Sequence, residues 1–336
     1  MTLVVSWIKH EGSSEELLIA SDSRISGGTS LDQAPKLLRL LRDDAVLAFC
    51  GTTRVAYPIV IQIKLALDAY EPARKRLIDI VDLPAHLRRI IESMRQTVAD
   101  LPDGSDEPIA FKIMLAGFSW RTSSFKSWVL KFDLRNGEFT AHPMRPHRVG
   151  GRIVYAQFMS DVVENEHRAR SFLDKTSRMG KGTSWTPFDA LMEQIADPEV
   201  KDVGGPPQLV KIYRHANTLP VNTIWPFMEF RDGEILSRYH VTHFGRALLP
   251  YERTDYLSLD LRTSSLIEPW NVQAYVRTLN ENELESFLTR LRIAALRRVA
   301  SAVAQVARRK RRQEIATDMV RRGCDLGQIN LAMSCW

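Results

Sequence analysis

The chain has 336 residues, 44% hydrophobic and 26% charged, with Gly and Pro together at 33 positions. Those proportions exclude a wholly disordered or collagen-like chain and leave ample material for a core. The three cysteines form no CxxC pair, which excludes a closed disulfide framework and a cysteine-rich zinc site. The net charge of +6 is unevenly spread: Arg290 to Arg322 holds eleven basic and two acidic residues, so that stretch carries +9 and the remainder −3.

The N-terminal run MTLVVSWIK lacks the charged n-region and long h-region of a signal peptide. No run approaches the ~18 apolar residues of a membrane helix. The cytoplasm is therefore the expected compartment, with no membrane partner. Residues 2–9 and 16–22 are β-rich and flank the turn signal Gly12-Ser13-Ser14, which predicts a hairpin. A second hairpin is expected from Lys36–Leu41 and Ala45–Cys50, turning at Asp43-Asp44. From Thr53 the apolar period becomes helical through Val55, Ile59, Ile63, Ala66 and Leu67. A second helix is expected over Pro84–Leu101. Strands follow at Phe111–Gly117, Ser127–Leu134 and Glu138–His142, the last two joined at Asn136-Gly137. Helices are expected at about Val154–Asp174 and Pro187–Ala196, then strands at Gln208–Tyr213 and Val221–Phe230.

This order predicts an α+β fold: two packed antiparallel sheets with helices on the outside. The expected divisions are 1–230 for the main domain, 231–270 for a β or irregular extension, and 271–336 for a basic helical region. In the last, Leu284, Leu288, Leu291, Val299, Val303 and Val306 share one side.

The hairpins bring chemistry-bearing residues together. A turn at Ser13 pairs residues whose numbers sum to 26, which places Thr2, Asp22 and Arg24 on one face. A two-residue turn at Asp43-Asp44 sets Lys36 opposite Gly51. Removal of Met1 would give Thr2 both a hydroxyl and a free α-amine, a base with pKa near about 7.7–8.0. Lys36 would favour alkoxide character, Asp22 would hold Lys36 charged, and the Gly51 N–H would stabilise an oxyanion. Plainer roles also fit these residues: a strand threonine behind a retained methionine, an Asp22–Arg24 ion pair, and a solvated Lys36.

The ordered pieces IASDSR (19–24), APKLLRL (34–40) and AFCGTTRVAYPIVIQIKLAL (48–67), behind a threonine at position 2, resemble the proteasome β-type N-terminal-nucleophile (Ntn) hydrolases and their HslV-like members. Further likeness lies in IMLAGFSW (113–120), FDLRNGEF (132–139) and HRVGGRIVYA (147–156), and covers roughly residues 2–225. The resemblance implies a four-layer αββα sandwich with a C-terminal helical extension. It also implies Thr2 as nucleophile, Asp22 and Lys36 as its charged partners and Gly51 as oxyanion donor, with Arg24 and Asp202 in support. It implies cleavage of amide bonds in peptides or unfolded protein without cofactor or metal, in a homo-oligomeric ring often served by an ATP-driven unfoldase. The family's Gly-Ser-Gly stands here as Val149-Gly150-Gly151-Arg152, and its Asp-x-x-Ser-Gly-Gly as Asp202-Val203-Gly204-Gly205; both lack the serine. The alternative is a catalytically weak or inactive proteasome-like subunit acting as a scaffold, with the basic C-terminal helix binding an acidic partner or nucleic acid.

Other motifs are weaker. His240 and His243 have i,i+3 spacing but no nearby carboxylate to complete a metal site. Gly180-Lys181-Gly182-Thr183-Ser184 lacks the first glycine of a phosphate loop. The Arg308–Arg312 cluster could meet an acidic partner or nucleic acid, but lacks interleaved aromatics; a solvated helix face is the expected role.

Overall fold

The first two strands, β1 (Leu3–Glu11) and β2 (Ser14–Ser21), form the expected hairpin in a computed structural model. That structure describes residues 2–11, 14–26, 30–95, 111–149, 152–197, 199–231, 234–249, 251–261, 263 and 265–279. Val4 pairs with Ser21 and Glu11 with Ser14, so paired numbers sum to 25 rather than 26. A one-residue slip exchanges the faces of one strand relative to the other. The proposed common face for Thr2, Asp22 and Arg24 is therefore corrected: Asp22 falls opposite Leu3, where the ladder ends.

Two short strands, β3 (Ile25–Ser26) and β4 (Ser30–Leu31), pair with each other. Then β5 (Leu37–Arg39) and β6 (Ala45–Gly51) make the second hairpin, with Leu37 opposite Ala48. The connection is longer than the two-residue turn expected, because Asp43 takes a φ of 56° and Asp44 N–H turns back to Arg42 O. Lys36 consequently sits just before the ladder and does not face Gly51. The helices α1 (Thr53–Ala69), α2 (Glu71–Arg74) and α3 (Leu83–Arg95) follow. Strands β7 (Phe111–Ser119), β8 (Ser124–Asp133) and β9 (Glu138–Pro143) complete a five-stranded antiparallel sheet in the order β5-β6-β7-β8-β9. The β8–β9 turn spans four residues, with Gly137 at φ 68°.

Strands β10 (Pro146–Val149) and β11 (Arg152–Ser160) come next, then α4 (Val163–Arg178) and α5 (Thr186–Ala196). The helix expected from Val154 thus begins nine residues later. Ile153, Val154, Tyr155 and Phe158 are β-branched or aromatic, and β11 satisfies its backbone by pairing with both β1 and β10. The chain continues with β12 (Gln208–Tyr213), β13 (Asn217–Arg231), β14 (Glu234–His243), β15 (Arg246–Ala247), β16 (Ser258–Asp260), β17 (Ser265–Ile267) and α6 (Pro269–Thr278). The larger sheet runs β10-β11-β1-β2-β12-β13-β14-β15, with β16 parallel to β13. The boundary expected at 230 falls inside β13, and residues 1–281 make one compact unit. Residues 282–336, with the Arg308–Arg312 cluster, lie outside the described residues.

Side-chain alternation explains the packing. On β6, Leu47 and Phe49 meet α1 and α3 through Ile59, Ile63, Leu83, Leu87 and Ile91. Val46, Ala48 and Cys50 face the other way and join Val4, Leu17, Ile19, Val210 and Ile212 of the larger sheet. The opposite side of the larger sheet carries Trp7, whose ring meets Trp185 and Phe188 at the start of α5. The strands are thus apolar on both faces, as expected of sheets covered on both sides. The polar exception between the sheets is satisfied: Ser6 Oγ lies 3.0 Å from Ser127 Oγ, which donates to Gln157 Oε1.

At the far end of the larger sheet, His243 Nδ1 lies 2.8 Å from Asn222 Oδ1 and its ring stacks on Tyr256. Burial pushes its pKa down, with Arg246 and Arg39 adding to the effect and Glu252 opposing it. A depressed folded pKa means that the unfolded chain binds the proton first as pH falls. The stability this group contributes is complete above about 6.5 and is lost as pH falls through the folded value. The urea midpoint is expected to drop across that window, and His243→Gln to flatten the drop; a midpoint with the same pH dependence in both proteins contradicts it.

Candidate active site

Asp22 leaves the ladder at the end of β2 and is wholly buried. Its carboxylate accepts N–H bonds from Leu3 (3.1 Å), Arg24 (3.1 Å) and Gly204 (3.0 Å). Lys36 Nζ donates to both of its oxygens at 3.0 Å. A buried ion pair is tolerable only with such geometry, since desolvation otherwise exceeds the Coulombic gain. Burial pushes Lys36 below the ordinary lysine range, opposed by Asp22 and more weakly by Asp161. Burial likewise pushes Asp22 up, against the Lys36 charge and the N–H groups.

Three further elements fix this couple. Gln208, at the start of β12, accepts from the N–H groups of Lys36 (3.0 Å) and Leu37 (3.2 Å), and donates to Ala34 O (2.7 Å). It therefore holds the segment before β5 against the end of β2. The Asp202–Gly205 segment contributes backbone, the Gly204 N–H, where the Asp202 side chain was the expected contributor. Ser23 N–H returns a bond to Gly204 O at 3.0 Å. Arg24 is also corrected: its guanidinium clamps Asp32 through Nε and Nη2 and donates to Lys201 O. It buttresses the glycine segment, since a Cβ on Gly204 would stand 2.7 Å from Arg24 Cζ.

Thr2 precedes β1 and is 4% exposed. Its backbone nitrogen donates to Asp161 Oδ1 at 2.9 Å. Asp161 stands between β11 and α4, beside Ser160, whose N–H donates to Glu166 Oε1 and whose carbonyl accepts from Lys112 Nζ. Val149 and Arg152, where the resemblance places the family's Gly-Ser-Gly, pair across β10 and β11, and the chain enters α4 only after Ser160. Sequence reasoning missed Asp161 and Gln208. Ser160-Asp161 preceding the acidic first turn of α4 was the available signal for the first; Gln208 carries none.

Gly51 ends β6 at a φ of 123°, a value that favours glycine, just before α1. Its neighbour Cys50 is buried, and burial pushes its thiol up. Asp22 and Lys36 are thus in direct contact. Thr2 is tied to Asp161 and adjoins Leu3, which is bonded to Asp22; Gly51 stands at the neighbouring strand end. Among the described residues no His, Cys, Asp and Glu side chains group as a metal site, and no helix is long and apolar enough to cross a membrane.

No protein-family model matches the chain, and no curated protein matches it.

Proposed function

We propose that the chain is a proteasome-like Ntn hydrolase in which Thr2, freed of Met1, attacks amide bonds. The buried Asp22–Lys36 couple, which accepts the N–H of Leu3, the residue following Thr2, carries this reading. Support also comes from the packing: α1 and α3 on one sheet, α4 and α5 on the other, and an apolar core between the sheets fit a four-layer αββα sandwich.

In the proposed reaction the α-amine takes the Oγ proton of Thr2 as Oγ attacks the carbonyl carbon. Lys36 stabilises the developing alkoxide and the Gly51 N–H the oxyanion. The amine leaving group takes the proton from the ammonium, leaving an acyl ester on Thr2. Water then attacks the ester with the same amine as base; the bond from Thr2 Oγ to the acyl carbon breaks, the ammonium returns its proton to Oγ, and the carboxylic acid product leaves. Asp161, which accepts from the Thr2 nitrogen, would orient that amine and favour its charged form after proton transfer. The same reading carries peptide or unfolded protein as substrate, and a homo-oligomeric ring with an ATP-driven unfoldase as partners.

Intact-mass analysis of the full chain after a threonine-directed electrophile tests it. The expected result is loss of Met1 and one adduct on the N-terminal threonine, with no adduct on Thr2→Ala at an unchanged melting temperature. Retained Met1, or equal labelling of both proteins, overturns the assignment.

A further inference from the structure

A cavity of about 340 Å³ opens where the edge of the five-stranded sheet meets β10, β11 and α4. Four permanent cations line it, Lys112, Lys131, Arg145 and Arg170, against one carboxylate, Glu166. Glu166 is already engaged: it accepts from Lys112 Nζ at 2.6 Å, from the Ser160 N–H at 3.0 Å and from Arg170 at 3.4 Å. Lys131 and Arg145 have no ion pair among the described residues.

The remaining polar lining adds donors. His142 and His147 stand on β9 and β10, and His142 Nε2 lies 2.9 Å from Thr140 Oγ1. Partial burial lowers the His142 pKa, and Lys131 and Arg145 lower it further. Asp133 opposes them, but is itself held by the Arg135 N–H and the Asn136 amide. The lining thus brings four cations and two imidazoles together against one carboxylate.

We propose that this cavity, whose lining does not include Thr2, binds a small molecule carrying two or more phosphate groups. Its volume lies at the lower end of small-molecule sites, which suits a compact ligand better than a polymer. The Arg145 guanidinium and the Lys131 ammonium, each without a competing carboxylate among the described residues, match phosphate oxygens. Lys112 and Lys131 sit on paired strands and Arg170 on α4, which hold them apart without a ligand. Val129, Pro143 and Phe158 give the cavity an apolar wall.

The test is calorimetric titration of the full chain with tripolyphosphate, pyrophosphate and citrate at constant ionic strength, alongside the NMR titration of His142. Tripolyphosphate is expected to bind more tightly than pyrophosphate, with citrate weaker than both, and to raise the His142 pKa. The double variant Lys131→Gln/Arg145→Gln, both exposed positions, is expected to weaken binding by about tenfold. Arg308→Gln/Arg309→Gln is expected to leave it unchanged. Binding that survives the cavity variant, disappears with the Arg308/Arg309 variant or leaves His142 unmoved overturns the proposal. Citrate binding as tight as tripolyphosphate overturns the phosphate assignment.

Discussion

Lys36→Met is expected to abolish labelling of Thr2 and to lower stability by about 3–5 kcal/mol, the usual cost of breaking a buried ion pair from one side. The Asp22 carboxylate would keep its three backbone N–H bonds but lose its countercharge in a site from which water is excluded. Asp22→Asn is expected to destabilise as well, because it leaves the Lys36 ammonium buried. The double variant Asp22→Asn/Lys36→Met removes both charges and is expected to recover much of the lost stability without recovering any labelling. That contrast separates a catalytic couple from a structural one. Urea unfolding and labelling rates measure the two effects; a folded Lys36→Met protein that labels at the normal rate would contradict the role given to Lys36.

The second large effect lies in the loop between β5 and β6, away from the candidate site. Asp44→Ala is expected to cost about 3–5 kcal/mol and to lower the melting temperature by on the order of 10 °C. Arg42 is 2% exposed, and its Nε and Nη2 bond the two Asp44 oxygens. Removing the carboxylate leaves a buried guanidinium with the Ile78 carbonyl as its remaining acceptor among the bonds described. The backbone is equally committed, for the Asp44 carbonyl accepts from Phe118 N–H at 3.0 Å. A Cβ on Gly117 would stand 2.4 Å from that carbonyl oxygen. Thr2 labelling in Asp44→Ala is expected to persist at temperatures where the protein remains folded. A melting temperature within 2 °C of the parent, roughly 1 kcal/mol or less, would show that solvent or neighbouring acceptors replace the carboxylate.

The candidate site was legible in unequal parts. Asp22 and Lys36 could be paired from sequence because each ends or precedes a strongly patterned strand, and the two hairpins bring those ends close. The register argument that joined them was wrong in detail: the first hairpin slips by one residue and the second by two. The pair survives because both residues stand outside the ladders, where side chains take their direction from available N–H groups and not from strand alternation. Arg24 was misassigned for the related reason that its partner, Asp32, lies in a loop whose path no periodicity reveals.

The amino-acid order alone determined the alternation of strand and helix blocks, the mixed α+β class and the approximate bounds of β1, β2, β5 to β9, α1, α3, α5 and β12. Apolar spacing of two or about three and a half residues is a local property, and burial enforces it wherever the element packs. Tertiary structure alone decided that residues 153–160 form a strand, that Asp161 meets the Thr2 nitrogen, and that Gln208 and Gly204 close around the Asp22–Lys36 couple. Those outcomes depend on contacts between residues far apart in the chain. A segment's propensity cannot fix which donors remain to be satisfied once two sheets have excluded water from the space between them.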